Sequence, residues 1–132
     1  MLTATDRLDI LDVVTRADDA ATRRDSDAYV AFFTDDAVLD GDKGEYRGKE
    51  RLRQSVGPIW ESEGPVSTHC SLNAVVDGVE GDPDGAVVTS LLMILRNDMP
   101  VSIASLSFIT QHLVRTGSRW LIDHRSVRSR PA

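Results

Sequence analysis

The hydrophobic period changes once along this chain, and that change limits the fold more than any single residue does. Up to about Glu63 the apolar residues recur at roughly every 3.6 positions; from Val66 onward they alternate. Helices come first and strands follow, the order of an α+β domain rather than of repeated βαβ units. The 132 residues, 41% of them hydrophobic, fit one domain over 1–132. Only 5% are aromatic, so the core has to be aliphatic.

The helical part reads in three pieces. Thr5 or Asp6 caps a first helix to about Arg24, whose stripe is Ile10, Val13, Val14, Ala17, Ala20 and Ala21. Asp19 falls on the solvent side, whereas Asp18 lies on the flank of the stripe beside Leu11, Val14 and Thr22. Asp25-Ser26-Asp27 caps a short helix over Ala28–Phe33, and Ala37–Asp40 forms a short strand. Gly41, Gly44 and Gly48 mark a loop, and a third helix runs from Lys49 to about Glu63, interrupted or kinked at Gly57-Pro58.

Four strands follow, over Ser67–Val76, Ala86–Arg96, Val101–Arg115 and Arg119–Val127. Turns at Gly81–Gly85, Asn97–Pro100 and Thr116–Ser118 join them into an antiparallel meander. In the first strand Cys70, Leu72, Ala74 and Val76 share one face, and His69, Ser71 and Asn73 the other. The run VVTSLLMIL (Val87–Leu95) is apolar on both faces and needs cover on both. The helices cover one face. A second copy of the chain is the expected cover for the other, which predicts a homodimer through the sheet.

Charge and cysteine usage narrow the function. Lys and Arg number 15 against 21 Asp and Glu, a net charge of −6, which is the wrong balance for a nucleic-acid partner. The basic end (Arg115, Arg119, Arg125, Arg128, Arg130) reads as a solvated strand edge and tail. Cys70 is alone, so no disulfide or cysteine zinc site is expected. No apolar run suits a signal peptide or a membrane span, and a cytoplasmic location is the expectation. Neither G-x-G-x-x-G nor a Walker loop occurs, so no nucleotide cofactor is implied.

Four segments together carry a resemblance: RRDSDAYVAFFTDDAVLDG (Arg23–Gly41), YRGKERLRQSV (Tyr46–Val56), STHCSLNAVVDG (Ser67–Gly78) and LVRTGSRWLIDHRSV (Leu113–Val127). In this order they resemble the SnoaL-like branch of the nuclear transport factor 2-like superfamily, over nearly the whole chain. The resemblance implies a curved antiparallel sheet wrapped on N-terminal helices, a cone-shaped α+β barrel with a mostly apolar pocket. It does not set the activity, because relatives include ketosteroid isomerase, scytalone dehydratase, polyketide cyclases and plain binding modules.

By that resemblance His69 is the pocket's acid–base group, a role suited to a side chain whose ordinary pKa is about 6.5. The family's carboxylate partner falls on Thr22 here, and Asp18, one turn earlier, is the candidate to reach the ring instead. The tyrosine and base of ketosteroid isomerase fall on Ala17 and Gly41. Asp40, next to the latter, is a second candidate, although strand alternation turns it away unless a bulge intervenes. Trp60, Tyr46 and Tyr29 are expected to shape the pocket, and Asn97 aligns loosely with a second pocket histidine of the dehydratases. His69, His112 and His124 share no ligand spacing, so no metal site is expected. The expectation is a small cofactor-independent enzyme that dehydrates, isomerises or cyclises a hydrophobic, oxygenated small molecule. A non-catalytic ligand-binding or assembly module is the alternative.

Overall fold

A computed structural model describes residues 1–129, and Arg130 of the basic tail lies outside the described residues. Helix α1 spans Ala4–Thr22. Its N-cap is Thr3 rather than Thr5 or Asp6. The Asp6 N–H donates to Thr3 Oγ1 at 3.0 Å and the Thr3 N–H donates to Asp6 Oδ2 at 2.9 Å, so two otherwise unmatched donors are satisfied reciprocally. At that position Asp6 also accepts from Arg115 Nη2 at 2.9 Å, which ties the helix start to the sheet.

The Thr3 N–H is the largest influence on the Asp6 carboxyl. With Arg115 it outweighs desolvation and lowers the pKa from 3.8 to about 2. A carboxyl depressed by folding stabilises the native state above its ordinary pKa and loses that contribution as pH falls, here between about 4 and about 2. Asp6→Asn is therefore expected to lower the thermal midpoint near neutral pH. The gap from the parent should close across that acid window, and a gap independent of pH would contradict the assignment.

Helix α2 covers Ser26–Val30, earlier than the expected Ala28–Phe33, because Asp25 Oδ1 accepts from the Ala28 N–H at 3.0 Å. Phe33 instead opens strand β1 (Phe33–Gly41), drawn there by the Ile122 N–H donating to the Phe32 carbonyl at 2.8 Å. Strand β2 (Gly44–Arg47) occupies part of the expected glycine-rich loop and forms a hairpin with β1, with Gly44 at φ +126° at the turn. Helix α3 (Lys49–Ser62) continues through Pro58 and buries Leu52, Val56 and Trp60, four residues apart.

Strands β3 (Ser67–Val79), β4 (Asp82–Arg96), β5 (Ser102–Thr116) and β6 (Arg119–Ser129) form the antiparallel meander. The sheet order is β2-β1-β6-β5-β4-β3, and β1 joins β6 in parallel. The fold is thus α+β, with a six-stranded curved, unclosed sheet. Among the described residues no helix is long and apolar enough to cross a membrane.

One irregularity decides which way the centre of β3 faces. The β3–β4 register shifts between Leu72 and Val75, where Asn73 adopts φ +56°. Ser67 and the His69 side chain are buried before this bulge, and Val76 is the buried residue after it. Of the expected apolar face only Val76 is buried; Leu72 is 40% exposed. The extra residue resets the alternation, so the polar face expected at His69 and Ser71 turns toward the helices.

The inner sheet face is divided. Toward one end lie Val76, Val88, Leu113 and Ile122, and toward the other Leu92, Ile94 and Ile109. Between them Ser71, Ser90, Gln111 and Arg125 form a polar belt across β3 to β6, with Asp18 of α1 against it. A carboxylate on the helix flank meets this belt and not an apolar wall, so it is buried without being orphaned.

Candidate functional site

A cavity of about 320 Å³ lies between α3 and the half of the sheet beyond the polar belt. Its apolar wall includes Leu39, Val56, Ile59, Trp60, Leu92 and Ile94, and its polar groups include Glu63, His69, Ser107 and Arg125. The exposed residues on its lining, Lys43, Ser62 and Arg96 among them, mark its mouth.

His69 is fixed from two sides. Its backbone N–H donates to Thr22 Oγ1 at 2.9 Å, and its Nε2 lies 2.9 Å from Glu63 Oε1. The His69 and Glu63 side chains are only 5% and 9% exposed. Trp60 meets the imidazole edge-on at 6.5 Å between centroids. The second ring nitrogen, Nδ1, is buried and has no hydrogen-bond partner among the described residues. An ionised carboxylate only accepts, so a hydrogen bond to Glu63 puts the proton of the neutral ring on Nε2 and the lone pair on Nδ1.

Glu63 escaped the sequence reading, which used it only as the end of a helix. It is the C-cap of α3. A carboxylate there opposes the helix dipole, and that mismatch is the signal that could have singled it out. The segment after it is tied down: the Glu63 carbonyl accepts from Arg96 Nε at 3.1 Å, and the Gly64 carbonyl accepts from Arg24 Nη2. These bonds place the Glu63 carboxylate over β3.

The other candidates divide. Trp60 and Tyr29 are buried in the wall and stack edge-to-face at 5.2 Å, and Tyr46 lies nearer the mouth, its hydroxyl donating to the Lys43 carbonyl at 3.2 Å. Burial pushes the Tyr29 pKa up, so its phenol stays neutral. Asp18 is not brought to His69. Its Oδ1 accepts from Arg125 Nη2 at 3.0 Å and its Oδ2 accepts from Ser71 Oγ, because the belt and not the imidazole lies beneath that turn of α1. Asp40 is also off the cavity: Leu39 and Gly41 line it, and strand alternation turns Asp40 to the other face, against Arg128 at 2.8 Å. Asn97, in the exposed β4–β5 connection, does not line the cavity either.

His112 and His124 face each other across β5 and β6, 6.1 Å apart, with His124 Nε2 4.0 Å from Asp40. They lie on the outer sheet face, away from His69. Arg125 is the further cavity residue that the sequence reading left in a solvated edge. Burial, the largest influence, lowers its pKa. Its ionisable neighbours and the Asp18 hydrogen bond outweigh that and raise the pKa, so the guanidinium stays charged.

With this geometry established, comparison with known proteins places the fold among relatives. A family model described as a SnoaL-like domain matches residues 2–126. The chain is similar to a structure from Nostoc punctiforme PCC 73102, a protein of unknown function with a cystatin-like fold. The two share 29% identity and a TM-score of 0.88, with 99% of this chain and 96% of that one covered. An NTF2-like protein from Novosphingobium aromaticivorans shares 18% identity and a TM-score of 0.81, covering 95% of this chain and 82% of its own. ActVI-ORFA from Streptomyces coelicolor shares 14% identity and a TM-score of 0.82, covering 93% and 96%. No curated protein matches the sequence.

Proposed function

The chain belongs to the SnoaL-like domain family, and from that premise we propose that it is a small enzyme performing proton transfer on a hydrophobic, oxygenated small molecule. The observation that carries the proposal is the buried His69 ring, which lines a mostly apolar cavity and is anchored at Nε2 by Glu63 and unpartnered at Nδ1. A lone pair with no protein donor, on a ring that lines a mostly apolar cavity, is the candidate acceptor for a substrate proton.

The chemistry is an acid–base cycle at one nitrogen. Nδ1 takes a proton from a carbon beside a carbonyl, and the C–H electron pair moves into the carbonyl as an enolate. The imidazolium, held by Glu63, then returns the proton to a departing hydroxyl in a dehydration, or to another carbon in an isomerisation. The proton leaves and re-enters through His69, so the cycle asks for no cofactor. Trp60 and Tyr29 would bound the flat faces of the ligand.

The test uses an enolisable ketone, 2-tetralone, in deuterated water, with loss of its α-proton signals followed by NMR. The protein is expected to accelerate exchange and His69→Ala to abolish that acceleration. A binding module of the same fold predicts stabilisation by the ketone without exchange, and Thr22 at the family's carboxylate position favours that second reading. Exchange that is not accelerated across a panel of such ketones would support it.

The homodimer is proposed on the outer sheet face, where Leu72, Val75 and Leu106 are 40%, 52% and 38% exposed. Solution mass at micromolar concentration is expected to be twice that of one chain, and Leu106→Glu is expected to shift it toward a single chain. A single-chain mass for the parent protein overturns the pairing.

A further inference from the structure

We propose that the part of the cavity bordering the polar belt is an anion subsite, in which the Arg125 guanidinium receives the carboxylate of an aromatic or alicyclic organic acid. The inference deepens the proton-transfer reading and rests on it only in taking the same cavity as the ligand site.

Arg125 is held by fewer hydrogen bonds than it can donate. Its side chain is 3% exposed and lines the cavity. Nη2 donates to Asp18 Oδ1 at 3.0 Å and Nη1 donates to Gln111 Oε1 at 3.3 Å, which engages two of the five N–H groups a guanidinium carries. The pairing with Asp18 uses one carboxylate oxygen, because the other accepts from Ser71. A guanidinium serving only to neutralise Asp18 would be best held by the two-pronged contact, with its remaining N–H groups matched by protein oxygens. Here it reaches a cavity wall with donors left over.

Gln111 holds Arg125 in place from behind the cavity wall. Gln111 is fully buried, and while its Oε1 accepts from Arg125, its Nε2 has no hydrogen-bond partner among the described residues. Ser90 Oγ in the same belt is also buried without a partner, and neither Gln111 nor Ser90 lines the cavity, so the unmatched N–H groups on the cavity side are those of Arg125. A carboxylate brings acceptor oxygens and a charge opposite to that of Arg125 against a guanidinium that is only 3% exposed, where such a bond is strong. Glu63 repels the same carboxylate from the His69 end, which fixes the direction in which the ligand lies. Its anionic end meets Arg125, and its apolar body lies along Trp60, Leu92 and Ile94.

The test compares 2-naphthoate with its neutral counterpart 2-naphthalenemethanol by titration calorimetry. Naphthoate is expected to bind the parent protein at least about tenfold tighter; equal affinities, or preference for the alcohol, overturn the subsite. Arg125→Lys keeps a cation opposite Asp18 but removes the guanidinium fork, and is expected to erase most of that ratio. Should that variant not fold, Asp18→Asn retains Arg125 and removes the competing anion, so naphthoate is expected to tighten severalfold; unchanged or weaker binding counts against the proposal. Arg96→Gln is expected to keep the ratio, and its loss there would place the anion at the mouth and overturn the assignment. Ketone exchange with no naphthoate preference rejects the subsite alone, whereas naphthoate preference without exchange rejects the proton-transfer reading alone.

Discussion

Replacing Asp18 with alanine is expected to destabilise the fold by about 3–5 kcal/mol, the cost of removing one member of a buried ion pair. Its partner, Arg125, is 3% exposed and keeps its charge, so the variant leaves a guanidinium with no anion and Ser71 with no acceptor. Urea unfolding monitored by circular dichroism measures the loss. Arg125→Ala should cost a similar amount, because it strands the carboxylate instead. The double variant should fall well short of the sum, since the second replacement removes the charge that the first left unpaired. This pattern separates two roles for Asp18. As an orienting group for His69 it would affect turnover with little change in stability, and as the counter-ion of the belt it governs stability first. A loss below about 1 kcal/mol would mean that the pair behaves like a solvated surface bridge.

Asp18 also shows how far the sequence could be read. Its place on the flank of the helix stripe follows from periodicity, and the residue is indeed buried. Its partner does not follow, because Arg125 is 107 positions away on a strand whose basic residues look like a solvated edge. The meander and the α+β order were legible for the same reason as the stripe: each repeats a local pattern over many residues. The bulge at Asn73 was not, since Leu72-Asn73-Ala74-Val75 looks like ordinary alternation and only the β4 register exposes the shift. Strand β2 hid among glycines, and the parallel pairing of β1 with β6 is a long-range contact with no local mark. The pocket aromatics were readable as large amphipathic residues near α3. The carboxylate beside His69 was sought on α1 because the resemblance put it there. This chain brings one from the end of α3, and Thr22 is used for the His69 backbone instead.

That relocation gives the second large effect. His69→Ala is expected to slow turnover by about 10²–10⁴-fold, the usual contribution of a positioned acid–base group, with the near-UV circular dichroism retained. His69→Gln, which fills more of the space, should fold at least as well and be no more active, because an amide cannot cycle a proton. In the proposed proton transfer to a neutral ketone, Glu63 acts through His69 and makes no bond to substrate, so its variants should separate the kinetic constants. Glu63→Gln keeps an oxygen that can accept from Nε2 but removes the charge that stabilises the imidazolium. A fall in kcat with KM nearly unchanged is therefore expected. Glu63→Ala removes both the oxygen and the charge and should fall further, approaching His69→Ala. Combining Glu63→Ala with His69→Ala should add little, because the two residues act as one unit. If Glu63→Gln raised KM and left kcat intact, the carboxylate would be a ligand-binding group, and the proton would have to be held at Nε2 by something other than a charge. If Glu63→Ala lowered stability alone, the imidazole would need no anchor, and Nδ1 would lose its claim to be the reacting atom.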